Sequence, residues 1–73
     1  MDDWLDRLAD TLGVARLEEA RQTELLDAAR EVAHGVERRV TPLAAFLLGR
    51  ATQARDGDLD SALADLRATI PAA

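Results

Sequence analysis

The chain has 73 residues, enough for one compact domain and too few for two. Hydrophobic residues make up 48 % of it and charged residues 32 %, which is the composition of a globular protein rather than of a disordered one, so we expect the chain to fold. The net charge of −5, with arginine as the only strongly basic residue type, argues against nucleic acid and anionic membranes as partners.

The lack of cysteine and of a targeting or membrane-spanning segment bears on the cellular location of the chain. It has no cysteine, so disulfides and thiolate metal sites are excluded. The opening MDDWLDRL is acidic, unlike the basic start of a signal peptide, and no apolar run approaches the ~18 residues of a membrane span. We therefore expect a cytoplasmic protein that neither crosses nor binds a membrane.

Apolar residues recur at helical spacing throughout, and no stretch alternates as a strand does. The first helix is predicted over residues 2–12, and Gly13 is predicted to end it. Its apolar stripe consists of Trp4, Leu5, Leu8 and Leu12. Residues 14–22 remain open between helix and loop, because Leu17 and Ala20 lie well off the stripe that begins at Leu25.

Three more helices follow, over residues 23–38, 42–55 and 59–70. Thr41 is a candidate N-cap with Pro42 in the first turn, Gly57 is expected to end the third helix, and Asp58 is expected to cap the fourth. The expected core stripes are Leu25, Ala29, Val32 and Val36 in the second helix, Leu43, Leu47, Ala51 and Ala54 in the third, and Leu59, Leu63, Leu66 and Ile70 in the fourth. The sequence predicts an all-α, single-domain, largely antiparallel four-helix bundle.

The second helix also carries a polar stripe on the face opposite its valines. Asp27, Arg30, His34 and Arg38 recur at steps of three and four residues, and Thr41 follows at the start of the next helix. Arginines beside the free N–H groups of a helix N-terminus could bind a phosphate-bearing small molecule. The alternative is that these residues form the ordinary solvated face of an amphipathic helix.

Other chemistries find less support in the sequence. Asp27, Glu31 and His34 could present metal ligands from one helix, but a metal site is not expected there. The chain has only one histidine, and the neighbouring arginines would repel a cation. Nothing marks a serine or threonine as a nucleophile, and there is no glycine-rich phosphate loop. We expect neither an enzyme nor a bound cofactor.

The stretch LLDAAREVAHGVERRVTPLAAFLLG, residues 25–49, resembles the core of an uncharacterised family of small bacterial domains. The residues that match its pattern are Asp27, Arg30, His34, Arg38, Pro42, Phe46 and Gly49. Arg39 stands where the pattern has proline, and Ala44 and Ala45 replace threonines. Such domains occur mainly in actinobacteria, alone or fused to a nucleotidyltransferase similar to the molybdenum-cofactor guanylyltransferase. The resemblance implies an accessory role near molybdopterin guanine dinucleotide synthesis.

Two functions therefore remain for this chain. The preferred one is a protein-interaction domain, homodimeric or docking onto a nucleotidyltransferase, because the third helix is apolar around much of its girth. Its expected interface residues are Trp4, Phe46, Leu48 and Gly49; the small residues Ala45 and Gly49 would admit a close backbone approach, or Gly49 is simply tolerated. The alternative is a small domain that binds an anion or nucleotide phosphate through the polar stripe.

Overall fold

The computed structural model describes residues 2–71, and these form four α-helices without a strand. The helices are α1 (Asp2–Leu12), α2 (Glu19–Gly35), α3 (Thr41–Ala54) and α4 (Leu59–Thr69), and a 3₁₀ turn at Arg38–Val40 leads directly into α3. The all-α prediction is confirmed. None of these helices is both long and apolar enough to cross a membrane.

The second helix differs most from its predicted bounds, since it begins at Glu19 rather than 23 and ends at Gly35 rather than 38. Contacts of its first turn explain the early start. The side-chain amide of Gln22 donates a hydrogen bond through Nε2 to the Leu17 carbonyl (3.2 Å), and Arg21 forms an ion pair with Asp60 at the start of α4 (2.6 Å). Of the open segment 14–22, residues 14–18 are irregular and 19–22 are helical.

Helix α1 ends in a Schellman motif at Gly13, the residue that the sequence predicts as its end. Gly13 (φ 71°) donates to the Asp10 carbonyl and Val14 donates to the Ala9 carbonyl. In this motif an apolar contact between Val14 and Ala9 is usual, in keeping with the burial of Ala9. The direction in which the chain leaves α1 is thereby fixed.

The end of α3 corrects the prediction for Gly57. The first left-handed residue is Asp56 (φ 55°), and Gly57 (φ 87°) follows it and donates to the Thr52 carbonyl (2.8 Å). Aspartate tolerates this conformation better than most residues because its short polar side chain can bond locally. The predicted cap of α4 is confirmed, since Asp58 accepts from the Ser61 N–H (3.0 Å).

Helices α2, α3 and α4 pack together around a small core. Its buried members are Ala28, Leu48, Ala62 and Leu63, and four partly buried residues surround them, Leu25, Ala51, Leu59 and Leu66. Ion pairs show how α2 and α4 run. Arg21 and Asp60 join the first turns of these helices, whereas Glu31 and Arg67 (3.2 Å) join their later turns. Helices α2 and α4 are therefore parallel, and α3 between them in sequence runs back.

The core face of α3 agrees with the predicted stripe only at Ala51, which packs against the core. Leu48 is 8 % exposed, whereas Leu43 and Leu47, predicted to face the core, are 64 % and 60 % exposed, and Ala54 is exposed. A helix that is apolar around much of its girth can bury more than one face, so the packing of α2 and α4 decides which one is covered. Of the predicted α2 stripe, Val32 is buried and Leu25 packs against the core, as expected. Val36 is exposed and lies just beyond the end of α2, and Ala28 is buried in addition. The α4 stripe is correct.

Helix α1 stands apart from the other three. None of its Cα atoms lies within 8 Å of a Cα of another described helix. Its apolar side chains Trp4 and Leu12 are 56 % and 64 % exposed. The accessible surface of 5691 Å² exceeds by about 1,300 Å² the roughly 4,400 Å² expected for a compact protein of this mass. The chain therefore exposes more surface than a compact protein of its mass, and the apolar side chains of α1 contribute to that surface.

Candidate functional site

The first three residues of the predicted polar stripe, Asp27, Arg30 and His34, lie on α2 as expected. Asp27 and Arg30 lie one turn apart and form an ion pair (3.4 Å), and His34 is exposed on the same helix. Both members of the pair are at least half exposed, so solvent weakens their attraction and leaves it worth a few tenths of a kcal/mol. These three residues form a solvated face of α2.

The second part of the predicted anion site is rearranged. Because α2 ends at Gly35, Arg38 lies in the 3₁₀ turn and not on the α2 face. Val40, not Thr41, is the N-cap residue of α3. The Thr41 N–H donates to the Arg38 carbonyl, and Pro42 has no N–H, so two donors that an anion would use at this helix start are not free.

Thr41 nonetheless presents one unusual atom. Its hydroxyl oxygen Oγ1 is buried and has no hydrogen-bond partner among the described residues. A buried hydroxyl without a partner costs about 1–3 kcal/mol. Thr41 lies three residues after Arg38, whose side chain is exposed. This juxtaposition is what remains of the predicted phosphate site.

The predicted interface residues separate into different environments. Trp4 and Phe46 are 56 % and 66 % exposed, as an interface requires. Leu48 is buried in the core, so its prediction as an interface residue is wrong. Gly49 is exposed, and a Cβ placed on it would meet no atom within 4 Å. Within the described part of the chain, no element packs closely against Gly49.

An exposed apolar stripe on α3, missed by the sequence analysis, accompanies Phe46. Leu43, Phe46 and Leu47 lie at spacings of three and four residues and are each at least 60 % exposed; we call them the α3 stripe. The Arg50 guanidinium lies 5.8 Å from the centre of the Phe46 ring. Arg50 is one turn beyond the stripe, and an arginine in line with apolar residues was the signal that this face meets solvent.

Two apolar grooves flank the buried side of α3. The first, of about 480 Å³, lies between α2 and α3, and we call it the α2/α3 groove; its walls include Val14, Leu17, Leu25, Ala29, Ala45, Leu48, Gly49 and Gln53. The second, of about 390 Å³, lies between α3 and α4 and includes Val36, Leu47, Ala51 and Ile70. Leu48 lines both grooves, which shows how thin the core is.

Charge pairing is concentrated where segments meet. Arg16 in the linker after α1 donates to both carboxylate oxygens of Asp10 (3.1 and 2.7 Å). This bond lowers the pKa of Asp10 and raises the pKa of Arg16. The hydrogen bond from Arg21 likewise lowers the pKa of Asp60 and raises that of Arg21. No cluster of three or more acidic or histidine side chains that could hold a metal ion occurs within residues 2–71.

Comparison with known proteins supplies a family but no activity. The model of a domain of unknown function, DUF6457, matches residues 1–73. No curated protein and no solved structure was found to match the chain. Since the family model spans all residues of the sequence, the chain belongs to the DUF6457 family of domains of unknown function.

Proposed function

We propose that this chain is a non-catalytic protein-interaction domain that docks through the α3 stripe onto a partner protein. The observation that carries the proposal is the exposure of Leu43, Phe46 and Leu47, at 64 %, 66 % and 60 %, in one row on a helix. Large exposed apolar side chains in a continuous row are typical of surfaces that another protein covers. An aromatic residue with an adjacent arginine is also the composition that binding hot spots favour.

The partner class that we propose is a nucleotidyltransferase of molybdopterin guanine dinucleotide synthesis. Support for this choice comes from the resemblance of residues 25–49 to domains fused to such enzymes. A domain that is fused in one chain and separate in another commonly keeps the same contact as an intermolecular interface. The activity then belongs to the partner, and this domain positions or stabilises it.

The test is a binding titration between the purified chain and the nucleotidyltransferase of the same organism. Phe46→Ala is expected to weaken binding about tenfold or more, because truncating a central aromatic anchor costs roughly 2 kcal/mol. Leu26→Ala is the control, since Leu26 is 55 % exposed on α2 and lines neither groove. No binding by the unaltered chain, or equal loss in both variants, would contradict the proposal.

One observation favours a second candidate, the binding of a nucleotide phosphate. It is the buried Thr41 Oγ1, which has no hydrogen-bond partner within residues 2–71 and lies close in sequence to the exposed Arg38. The sites are separate, so one thermal-denaturation series distinguishes the candidates. A rise in Tm with GTP that high salt removes, and that Arg38→Gln abolishes, would favour the phosphate site over docking as the function.

A further inference from the structure

Helix α1 has an apolar face that its own chain leaves uncovered. Trp4, Leu8 and Leu12 are 56 %, 36 % and 64 % exposed, and no Cα of α1 comes within 8 Å of another described helix. The helix has 11 residues, and an isolated helix shorter than about 12–15 residues is only marginally stable in water. Its formation therefore calls for a second surface on which that apolar face is buried.

The connection to α2 holds α1 away from the grooves of its own chain. The Schellman bonds of Gly13 and Val14 fix the exit from α1, and the two-pronged contact from Arg16 to Asp10 ties the linker to the last turns of α1. Leu17, further along this linker, already lines the α2/α3 groove. The linker thus enters the groove of its own chain, whereas no Cα of α1 lies within 8 Å of a Cα of the helices that form the groove.

The dimensions of the α2/α3 groove fit a helix of this size. Along α3 its walls run from Thr41 to Gln53, about 18 Å at 1.5 Å per residue, and α1 is about 16 Å long. Ala45 and Gly49 line the groove with small residues, and an added Cβ at Gly49 would meet no atom within 4 Å. Small side chains on one helix allow a bulky one such as Trp4 to approach closely.

Charge and surface area both favour a second copy of this chain as the occupant. Residues 2–12 hold four aspartates and one arginine, whereas residues 25–53, which span the α2 and α3 walls of the groove, hold four arginines, two glutamates and one aspartate. The surface in excess of a compact protein, about 1,300 Å², is larger than the roughly 800 Å² that each partner buries in a standard interface. One sequence thus carries an uncovered apolar helix and an uncovered apolar groove of matching length and opposite local charge.

We propose that α1 of each chain packs into the α2/α3 groove of a second copy, giving a two-fold symmetric dimer by reciprocal exchange. Because each chain gives one helix and receives one, the contact closes on itself and does not propagate into fibres. The inference rests on the interaction role proposed above but uses other surfaces. The α3 stripe stays outside the exchanged contact and remains free for a different partner.

The mass of the full chain in solution tests this arrangement. Light scattering over a range of concentrations is expected to show the mass rising from 7.9 kDa to twice that value. Ala45→Glu places a charge in the groove and Leu8→Glu places one on α1, and each is expected to weaken the dimer at least tenfold. Ala64→Glu is the matched control, since Ala64 is exposed in the middle of α4 and lines neither groove.

Trp4 reports directly on whether α1 is the element that moves into the groove, since it is the only tryptophan. Its fluorescence is expected to shift to shorter wavelength as the dimer forms, and to stay unshifted in the Ala45→Glu variant. A strict monomer at millimolar concentration would overturn the exchange, as would a dimer that survives both glutamate substitutions or leaves Trp4 emission unchanged. Any of these results leaves the loss of partner binding in Phe46→Ala as an independent test of the proposed function.

Discussion

Leu47 and Leu48 are neighbours in α3, and truncating each to alanine tests which face of that helix is buried. Leu48 is 8 % exposed and Leu47 is 60 % exposed. At about 0.8 kcal/mol per buried carbon group, removing three groups costs about 2.2 kcal/mol at Leu48 and about 1 kcal/mol at Leu47. A residual cavity at Leu48 raises its cost to about 3 kcal/mol, out of a total stability of about 4–11 kcal/mol for a chain of this size.

Thermal unfolding followed by circular dichroism measures both variants in dilute solution. A loss of about 3 kcal/mol in Leu48→Ala corresponds to a fall in Tm of about 12–24 °C, and about 1 kcal/mol in Leu47→Ala corresponds to about 4–8 °C. Both substitutions replace leucine by alanine in the same helix, so differences in helix propensity cancel. Equal losses, or a larger loss in Leu47→Ala, would show that α3 buries the face that periodicity alone predicts and would refute the packing described here.

Three smaller effects follow from local geometry. Asp58→Ala is expected to cost about 1 kcal/mol of unfolding free energy in a denaturant titration, because the Ser61 N–H loses its cap; an unchanged midpoint would refute this. Gly49→Ala is expected to raise Tm in dilute solution by an amount equivalent to about 1 kcal/mol, since its Cβ meets no atom, and a fall would show a close neighbour. Arg16→Gln is expected to bring the lowered pKa of Asp10 back toward its ordinary value in a carboxyl NMR titration. Because the folded pKa lies below the unfolded one, this pair stabilises the fold above about pH 4, and its contribution is lost as the pH falls through the lowered pKa.

Local chemistry explains why the helices and several of their ends are predictable from sequence. The Asp58 cap and the Gly13 stop depend on residues a few positions away, and the structure contains both. The early start of α2 was not predictable in this way. It is accompanied by the ion pair between Arg21 and Asp60, residues 39 positions apart that only the packing of α2 on α4 brings together.

The polar stripe of α2 was likewise predictable only where its residues lie in one continuous helix. Asp27 and Arg30 pair as their three-residue spacing indicates, because both lie inside one continuous helix. The predicted position of Arg38 on that face requires α2 to continue past Gly35, whereas α2 ends there and Arg38 begins a 3₁₀ turn. A periodicity argument holds only as far as the helix does, and α2 ends at Gly35, a residue type that commonly ends helices.

The sequence by itself determined that the chain is helical, where most helices begin and end, and that α4 buries the row through Leu63, since in that helix one face alone is rich in leucine. Only the tertiary structure decided that α3 buries Leu48 and exposes Leu47, and that the apolar face of α1 is left uncovered. The physical reason is that hydrophobic burial is non-directional. When a helix has apolar residues on several sides, the helices packed against it determine which side is buried. When no other helix packs against it, its apolar side stays exposed.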